Sequence, residues 1–338
     1  MINRVLSGIT PSGSALHIGN YFGAVKPQVE LQEKIDETFY FIADLHALTT
    51  VQDKGELEKN IVAVVLDYLS LGLDPEKSIF FRQSDVPEHS QLAVVLANFV
   101  SLGHMKRMHA FKDKLQKGEK PDSINMGLFN YPILMAADIL LYKPDGVPVG
   151  EDQRQHIEIT RDIAEKFNKV VKQEVLRLPE PVISKEVGKV VGTDGERKMS
   201  KSLGNVIGIF EDEEIIKKQI MSCFTDPNRK KVTDPGKVEG NPVFIYHDLI
   251  NDDKGEVEDL KNRYRDGRVG DVEVKERLFE AHKRLFEPAR KRRKKLEEDM
   301  ELVKRVLAEG AEKAKKVARE TLEEVYEAIG IKNSLSVK

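Results

Sequence analysis

An α/β fold with a largely parallel sheet, continued by a mainly helical region, is what this sequence predicts, on two observations. Through the first two hundred residues, short apolar runs alternate with longer stretches of helical spacing, the pattern of strand–helix–strand units. After Gly208, Glu and Lys dominate and strand-like runs nearly vanish, while Leu296, Met300, Val303 and Leu307, then Ala314, Ala318, Leu322, Val325 and Ile329, recur at helical spacing. The shift sets a domain boundary at Gly204 to Gly208, dividing the chain into 1–207 and 208–338.

In chain order, the predicted strands are Arg4 to Leu6, Phe39 to Ala43, Ile79 to Phe81, Val147 to Val149 and Val190 to Val191. Between the second and third, Leu57, Ile61, Val64, Val65 and Tyr68 mark an amphipathic helix that a glycine stop, Gly72, closes. His104 to Pro121 is basic and punctuated by glycine, and Met126 to Tyr142 then turns strongly apolar before the Lys143-Pro144-Asp145-Gly146 turn. Together these read as an insertion, 104–142, that ends in a buried helix.

The 338 residues suffice for two domains, and the 40% hydrophobic content is ordinary for a globular protein. No stretch approaches the roughly 20 apolar residues of a membrane span. Met1-Ile2-Asn3-Arg4 runs straight into a strand-like segment instead of a signal sequence, so the sequence predicts no membrane association and a cytoplasmic location. Cys223 is the only cysteine, which leaves no internal disulfide and no cysteine set for zinc or an iron–sulfur cluster. With a net charge of only −3, any nucleic-acid surface must be local. Its candidate is the run Arg290 to Lys295, joined by Lys283 and Arg284, which reads as a solvated helix face or as a positive field suited to an RNA backbone.

Three constellations carry chemistry. Near the start, Gly8, Gly13, Gly19 and Gly23 surround a strand-to-helix turn containing Pro11-Ser12-Gly13 and His17-Ile18-Gly19-Asn20, where free backbone N–H groups favour phosphate and where His17 and Asn20 can donate to a nucleotide. Past mid-chain, Lys198-Met199-Ser200-Lys201-Ser202 lies in a polar, glycine-flanked loop. Two lysines on such a loop can close over transferred phosphates, with Ser200 and Ser202 as neutral donors. The third is Tyr131 to Tyr142, an apolar helix interrupted by Asp138, followed by Val147-Pro148-Val149-Gly150-Glu151-Asp152-Gln153. A carboxylate inside an apolar helix needs either a structural partner or a ligand donor. An indole N–H would match Asp138, with Met135, Ile139, Val147 and Val149 as apolar walls. At the end of a predicted strand, Asp152 can bind ribose hydroxyls and Gln153 an ammonium group, or the segment can simply start a helix.

In order and separation, these motifs resemble the two signatures of class I aminoacyl-tRNA synthetases, and the residues between them resemble the bacterial-type tryptophanyl family over essentially the whole chain. The resemblance implies a Rossmann-type catalytic domain over 1–207 whose insertion takes part in homodimerisation, and a helical domain over 208–338 that contacts the tRNA anticodon. It implies ATP, bound with Mg²⁺, L-tryptophan and tRNA(Trp) as partners, and adenylation without a protein nucleophile. It assigns Thr10, Pro11, Ser12, Gly19, Asn20, Gly150, Glu151, Asp152, Val190 and Lys198, Met199, Ser200, Lys201 and Ser202 to ATP. Asp138 takes the indole N–H, while Tyr131, Met135, Gln153 and His46 line the amino-acid pocket. Lys198, Lys201, Ser200, His17 and Asn20 form the catalytic group. Asn20 replaces the histidine common at the end of the first signature, and Leu6 stands where the family often carries an aromatic residue. Three other readings stay open on the sequence: a tyrosyl-tRNA synthetase, a small-molecule adenylyltransferase and a non-catalytic RNA-binding paralogue.

Overall fold

A computed structural model describes residues 2–11, 13, 16–150, 153–183, 190–226, 229 and 231–331. Five parallel strands form one sheet in the order β3-β2-β1-β4-β5: β1 (Arg4–Ile9), β2 (Glu37–Ile42), β3 (Ser78–Arg82), β4 (Gly146–Val149) and β5 (Glu180–Ile183). Arg4 registers with Glu37 through to Ile9 with Ile42, and Val5 of β1 faces Gly146 of β4. Strand order therefore reverses between β1 and β4, and their carboxyl ends open a crevice of the kind where doubly wound sheets bind ligands.

The first half carries α1 (Ile18–Asn20), α2 (Lys26–Leu31), α3 (Asp44–Ala47), α4 (Lys54–Leu71), α5 (Glu88–Leu96), α6 (Leu102–Met105), α7 (His109–Gln116), α8 (Met126–Leu141) and α9 (Arg154–Val171). A π-helical turn, Tyr21–Val25, joins α1 to α2. Beyond the sheet come α10 (Glu213–Met221), α11 (Pro242–Ile250), α12 (Lys254–Arg265), α13 (Asp271–Glu298) and α14 (Met300–Ala328). Among the described residues, none of these helices is long and apolar enough to cross a membrane.

Local chemistry explains the boundaries that matter for the site. Asp53 caps α4 by accepting the Glu56 N–H at 2.8 Å, and Gly72 ends the helix at φ 111°, a left-handed conformation that glycine adopts without Cβ strain. Asn125 caps α8 through the Leu128 N–H at 2.7 Å, and the second half of that helix, from Pro132 on, is largely buried.

The strand expected at Val190 to Val191 does not join the sheet. Val191 instead forms an isolated antiparallel bridge with Lys198, so this segment folds back on the lysine loop. The fifth strand is Glu180–Ile183, an edge strand whose Pro181 suits a position where one side needs no ladder bond.

Both faces of the sheet are covered, as a parallel sheet requires. Tyr40, Ile42 and Phe80 pack with Val64, Val65 and Tyr68 of α4 and, in the same cluster, with residues of α10 to α13. Phe39, Phe41 and Phe81 share the other cluster with Ile139 and Leu140 of α8 and with Ala311, Ala314, Ala318, Leu322 and Val325 of α14. Gly310 makes this last approach possible, because a Cβ there would collide with the Phe80 carbonyl on β3. The predicted helical region thus reaches the sheet directly through α14 against β3, and through α4, on which α13 packs.

Candidate active site

β1 delivers Thr10 and Pro11 to the crevice, and the chain enters α1 through His17. His17 is the N-cap: its Nδ1 accepts the Asn20 N–H at 3.3 Å, and Asn20 Oδ1 accepts the His17 N–H at 3.2 Å, a reciprocal capping box. An accepting Nδ1 leaves the ring proton on Nε2, so the neutral imidazole is a donor at that atom. Burial, followed by the charges of Lys201 and Lys198, lowers the His17 pKa to about 4. The ring is only 7% exposed.

Those charges show the two signatures meeting. A carbon placed at Gly13 would stand 3.6 Å from Lys201 Nζ, and one at Gly19 would stand 3.3 Å from Met199 Cβ. The Ile18 N–H donates to the Ile207 carbonyl at 2.9 Å, and His17 pairs with Gly208 in an antiparallel bridge.

The lysine loop has its own frame. Met199 is buried and its N–H donates to the Val190 carbonyl at 3.2 Å. Asn205 accepts the Ser200 N–H at 2.7 Å and donates from Nδ2 to Asp194 at 2.9 Å. Gly192 lies so close to Asn205 that any side chain would displace it. Lys198, Lys201 and Ser202 remain exposed, and Ser200 and Ser202 sit 3.0 Å apart through their hydroxyls.

The third constellation centres on Asp138, which is 0% exposed. Its Oδ1 accepts from Gln83 Nε2 at 2.7 Å and His89 Nδ1 at 2.6 Å, and its Oδ2 pairs with His46 Nε2 at 2.8 Å. Burial alone would raise this carboxyl's pKa, but the hydrogen bonds and charges of His46 and His89 hold it at about 2. His89, held to this ionised acceptor through Nδ1, also hydrogen-bonds the Tyr142 hydroxyl through Nε2 at 2.8 Å. A carboxylate offers about four lone-pair sites. Three are used among the described residues, so the remaining acceptor direction belongs to Oδ2, the oxygen shared with His46. The Tyr131 ring meets His46 edge-on at 6.2 Å, and its hydroxyl bonds His156 Nε2. Met135 is half-buried beside this cluster, and Ile139 and Val147 belong to the core.

The structure therefore joins His17, Gly19 and Asn20 to Val190 and Lys198 to Ser202, and joins Asp138 to His46 with Tyr131 alongside. Gly150 and Gln153 follow β4 at the crevice, the Gln153 N–H donating to the Gly150 carbonyl at 3.0 Å. Ser12, Glu151 and Asp152 lie outside the described residues. Gln83, His89, Tyr142 and Asn205 escaped sequence reasoning. Gln83 and His89 stand just past the carboxyl end of β3, and that polar segment after a strand was the available signal.

The basic run is mostly engaged with the protein itself. Arg290 Nε donates to the Ile209 carbonyl at 2.8 Å, Arg292 Nε to the Ser70 carbonyl at 2.7 Å, and Arg293 pairs with buried Asp67. Three of its arginines anchor α13 to α4 and to the segment after Gly208, while Lys291, Arg292, Lys294 and Lys295 remain exposed, as a solvated helix face requires.

His17 makes a pH prediction. A histidine with a folded pKa near 4 and an ordinary unfolded pKa gives its full stability above pH 6.5 and loses it as pH falls towards 4. From pH 7 to pH 5 the parent is expected to lose on the order of 1–2 kcal/mol relative to His17→Asn. Urea midpoints at the two pH values test this, and parallel losses in both proteins would refute it.

A strand-order switch, a capped helix beyond the carboxyl end of β1 and a two-lysine loop folded onto it meet at one end of the sheet. A family model described as tRNA synthetases class I (W and Y) matches residues 2–287. The chain is 46% identical to the tryptophan–tRNA ligase of Fusobacterium nucleatum over 98% of each chain, and 43% identical to that of Treponema pallidum over 97% of each. The crystal structure of Campylobacter jejuni tryptophanyl-tRNA synthetase complexed with ADP and tryptophan superposes with a TM-score of 0.89 at 45% identity, covering 97% of this chain and 99% of that one. The chain belongs to the class I tRNA synthetases and, within them, to the tryptophan–tRNA ligases.

Proposed function

We propose the following course for tryptophan–tRNA ligation by this chain. A carboxylate oxygen of L-tryptophan attacks the α-phosphorus of ATP, the bond to the β,γ-phosphates breaks, and pyrophosphate leaves from tryptophanyl-adenylate. The 2′-hydroxyl of the terminal adenosine of tRNA(Trp) then attacks the acyl carbon, loses its proton and releases AMP. Mg²⁺ enters with the nucleotide as part of that substrate.

The observation that carries this reading is the convergence of the Lys198–Ser202 loop on Gly13 and His17 beside the strand-order switch. No protein nucleophile is needed. Lys198 and Lys201 neutralise charge on the departing pyrophosphate, the His17 Nε2–H and Asn20 donate to the triphosphate, and Ser200 and Ser202 add neutral donors. Thr10, Pro11, Ser12, Gly19, Gly150, Glu151, Asp152, Val190 and Met199 complete the ATP site. Asp138 accepts the indole N–H on Oδ2, with Tyr131, Met135, Gln153 and His46 around the amino acid. A phenyl side chain offers no donor to that oxygen, so phenylalanine is rejected without editing.

The region 208–338 contacts the tRNA anticodon, and the chain works as a homodimer in the cytoplasm. Amino-acid-dependent pyrophosphate exchange into ATP tests the first step with tryptophan, tyrosine and phenylalanine. Exchange with tryptophan alone is expected, and exchange driven by tyrosine would overturn the pocket assignment.

A further inference from the structure

Asp67 is fully buried on α4, away from the lysine loop and from Asp138, yet it touches both halves of the molecule. Its Oδ2 accepts the Leu16 N–H at 2.8 Å, one residue before the His17 cap, and its Oδ1 pairs with Arg293 of α13. Arg293 also donates to Glu297 at 2.9 Å and lies over the Phe210 ring with its guanidinium carbon 4.7 Å from the centroid. Beside it, α13 holds two carbonyls of the same segment, Gly208 through His282 Nε2 at 2.9 Å and Ile209 through Arg290. That segment is the one that bridges His17 and receives the Ile18 N–H. The entry to α1 is thus tied to α13 twice, once through Asp67 and once through residues 207–210.

We infer that Asp67 is a positioning residue for ATP activation: it holds the Leu16 N–H, and through it the turn that presents His17 and α1 to the phosphates, while Arg293 supplies the countercharge that lets a carboxylate sit there. The inference rests on the adenylation reading above. An exposed carboxylate would give the same N–H bond no rigid support. Burial without Arg293 would leave the charge unpaired, a cost of several kcal/mol.

The geometry separates positioning from stability in a pair of double variants of the full chain. Asp67→Asn with Arg293→Met removes both buried charges but keeps an oxygen able to accept the Leu16 N–H. Asp67→Leu with Arg293→Met removes the charges and the acceptor. Active sites are counted by tryptophan binding, and the kcat and KM for ATP are read in pyrophosphate exchange.

The Leu-containing pair is expected to lose about 10- to 100-fold in kcat/KM for ATP, since a small misplacement remote from the chemistry can cost that much. Its tryptophan affinity should stay within about twofold, and the Asn-containing pair should keep kcat/KM for ATP within about threefold of the parent. Equal ATP parameters in the two pairs, or a parallel loss of ATP and tryptophan parameters in the Leu pair, would overturn the inference. If the Leu pair does not fold, Asp67→Ala with Arg293→Met, which cannot overpack the site, takes its place in the same comparison. A parent without tryptophan-dependent exchange would instead sink the adenylation reading, an outcome distinguishable from active but indistinguishable double variants.

Discussion

Lys201→Met is expected to lower the kcat of tryptophan-dependent pyrophosphate exchange by about 10²- to 10³-fold, the usual scale for removing one preorganised charge stabiliser. Lys201 Nζ reaches Gly13 in the first signature, so it stands where the triphosphate must lie in the proposed site. Methionine keeps much of the side chain's length and apolar volume while deleting the charge. Tryptophan affinity should hold, because the Asp138 cluster owes none of its hydrogen bonds to the lysine loop. The chain contains no tryptophan, so emission from the bound amino acid is read without an indole background from the protein. A variant with normal exchange, or with tryptophan binding lost in proportion to exchange, would contradict the role given to Lys201.

Asp138 has the second large expected effect, for it anchors three buried donors and, in the proposed site, also receives the indole N–H. Asp138→Ala leaves the Gln83 amide and the His46 and His89 rings without their acceptor. Each buried donor left unsatisfied costs about 1–3 kcal/mol, so on the order of 3–9 kcal/mol of stability is at stake before selectivity is measured. Asp138→Asn retains one acceptor oxygen and is the better probe of recognition. It is expected to lower the tryptophan-to-phenylalanine ratio in exchange by about 10²-fold or more, within the range seen where a site hydrogen-bonds its substrate. An unchanged ratio in a folded Asn variant would remove Asp138 from the pocket.

The same carboxylate sets an acid limit. Its folded pKa of about 2 lies below the ordinary value of 3.8, so its stabilisation is fully present above about pH 4 and is lost as pH falls towards 2. The contribution is on the order of 2 kcal/mol by linkage, and acid titration of the Asn variant should lack this component.

Four strands were legible because runs such as Phe39 to Ala43 are apolar on both faces, which only a sheet covered on both sides demands. The fifth was not: Pro179 and Pro181 bracket Glu180 and break the usual strand signal, while Val190 to Val191 looks like a strand by composition but finds its partner eight residues or fewer downstream, at Lys198. In the site, the two signatures were legible as compact words. His89 and Gln83 were not, because a lone polar residue acquires meaning only when folding brings it to Asp138. The internal partners of the basic run were illegible for a related reason: Arg293 finds Asp67 at a separation of 226 residues, and Arg292 finds Ser70 at 222, distances that no local charge pattern reports.

The approach of Gly310 to the Phe80 carbonyl has a consequence for synthesis on the ribosome. The face of the sheet bearing Phe39, Phe41 and Phe81 is closed in part by α14, residues translated some two hundred positions after those strands. Until α14 has left the exit tunnel, the nascent chain carries an uncovered aromatic surface, the kind of exposed patch that chaperones bind and that aggregates when they are scarce. Translation stalled near Asp299 would therefore produce a chain that holds both signatures and all five described strands, yet is a substrate for quality control instead of an enzyme.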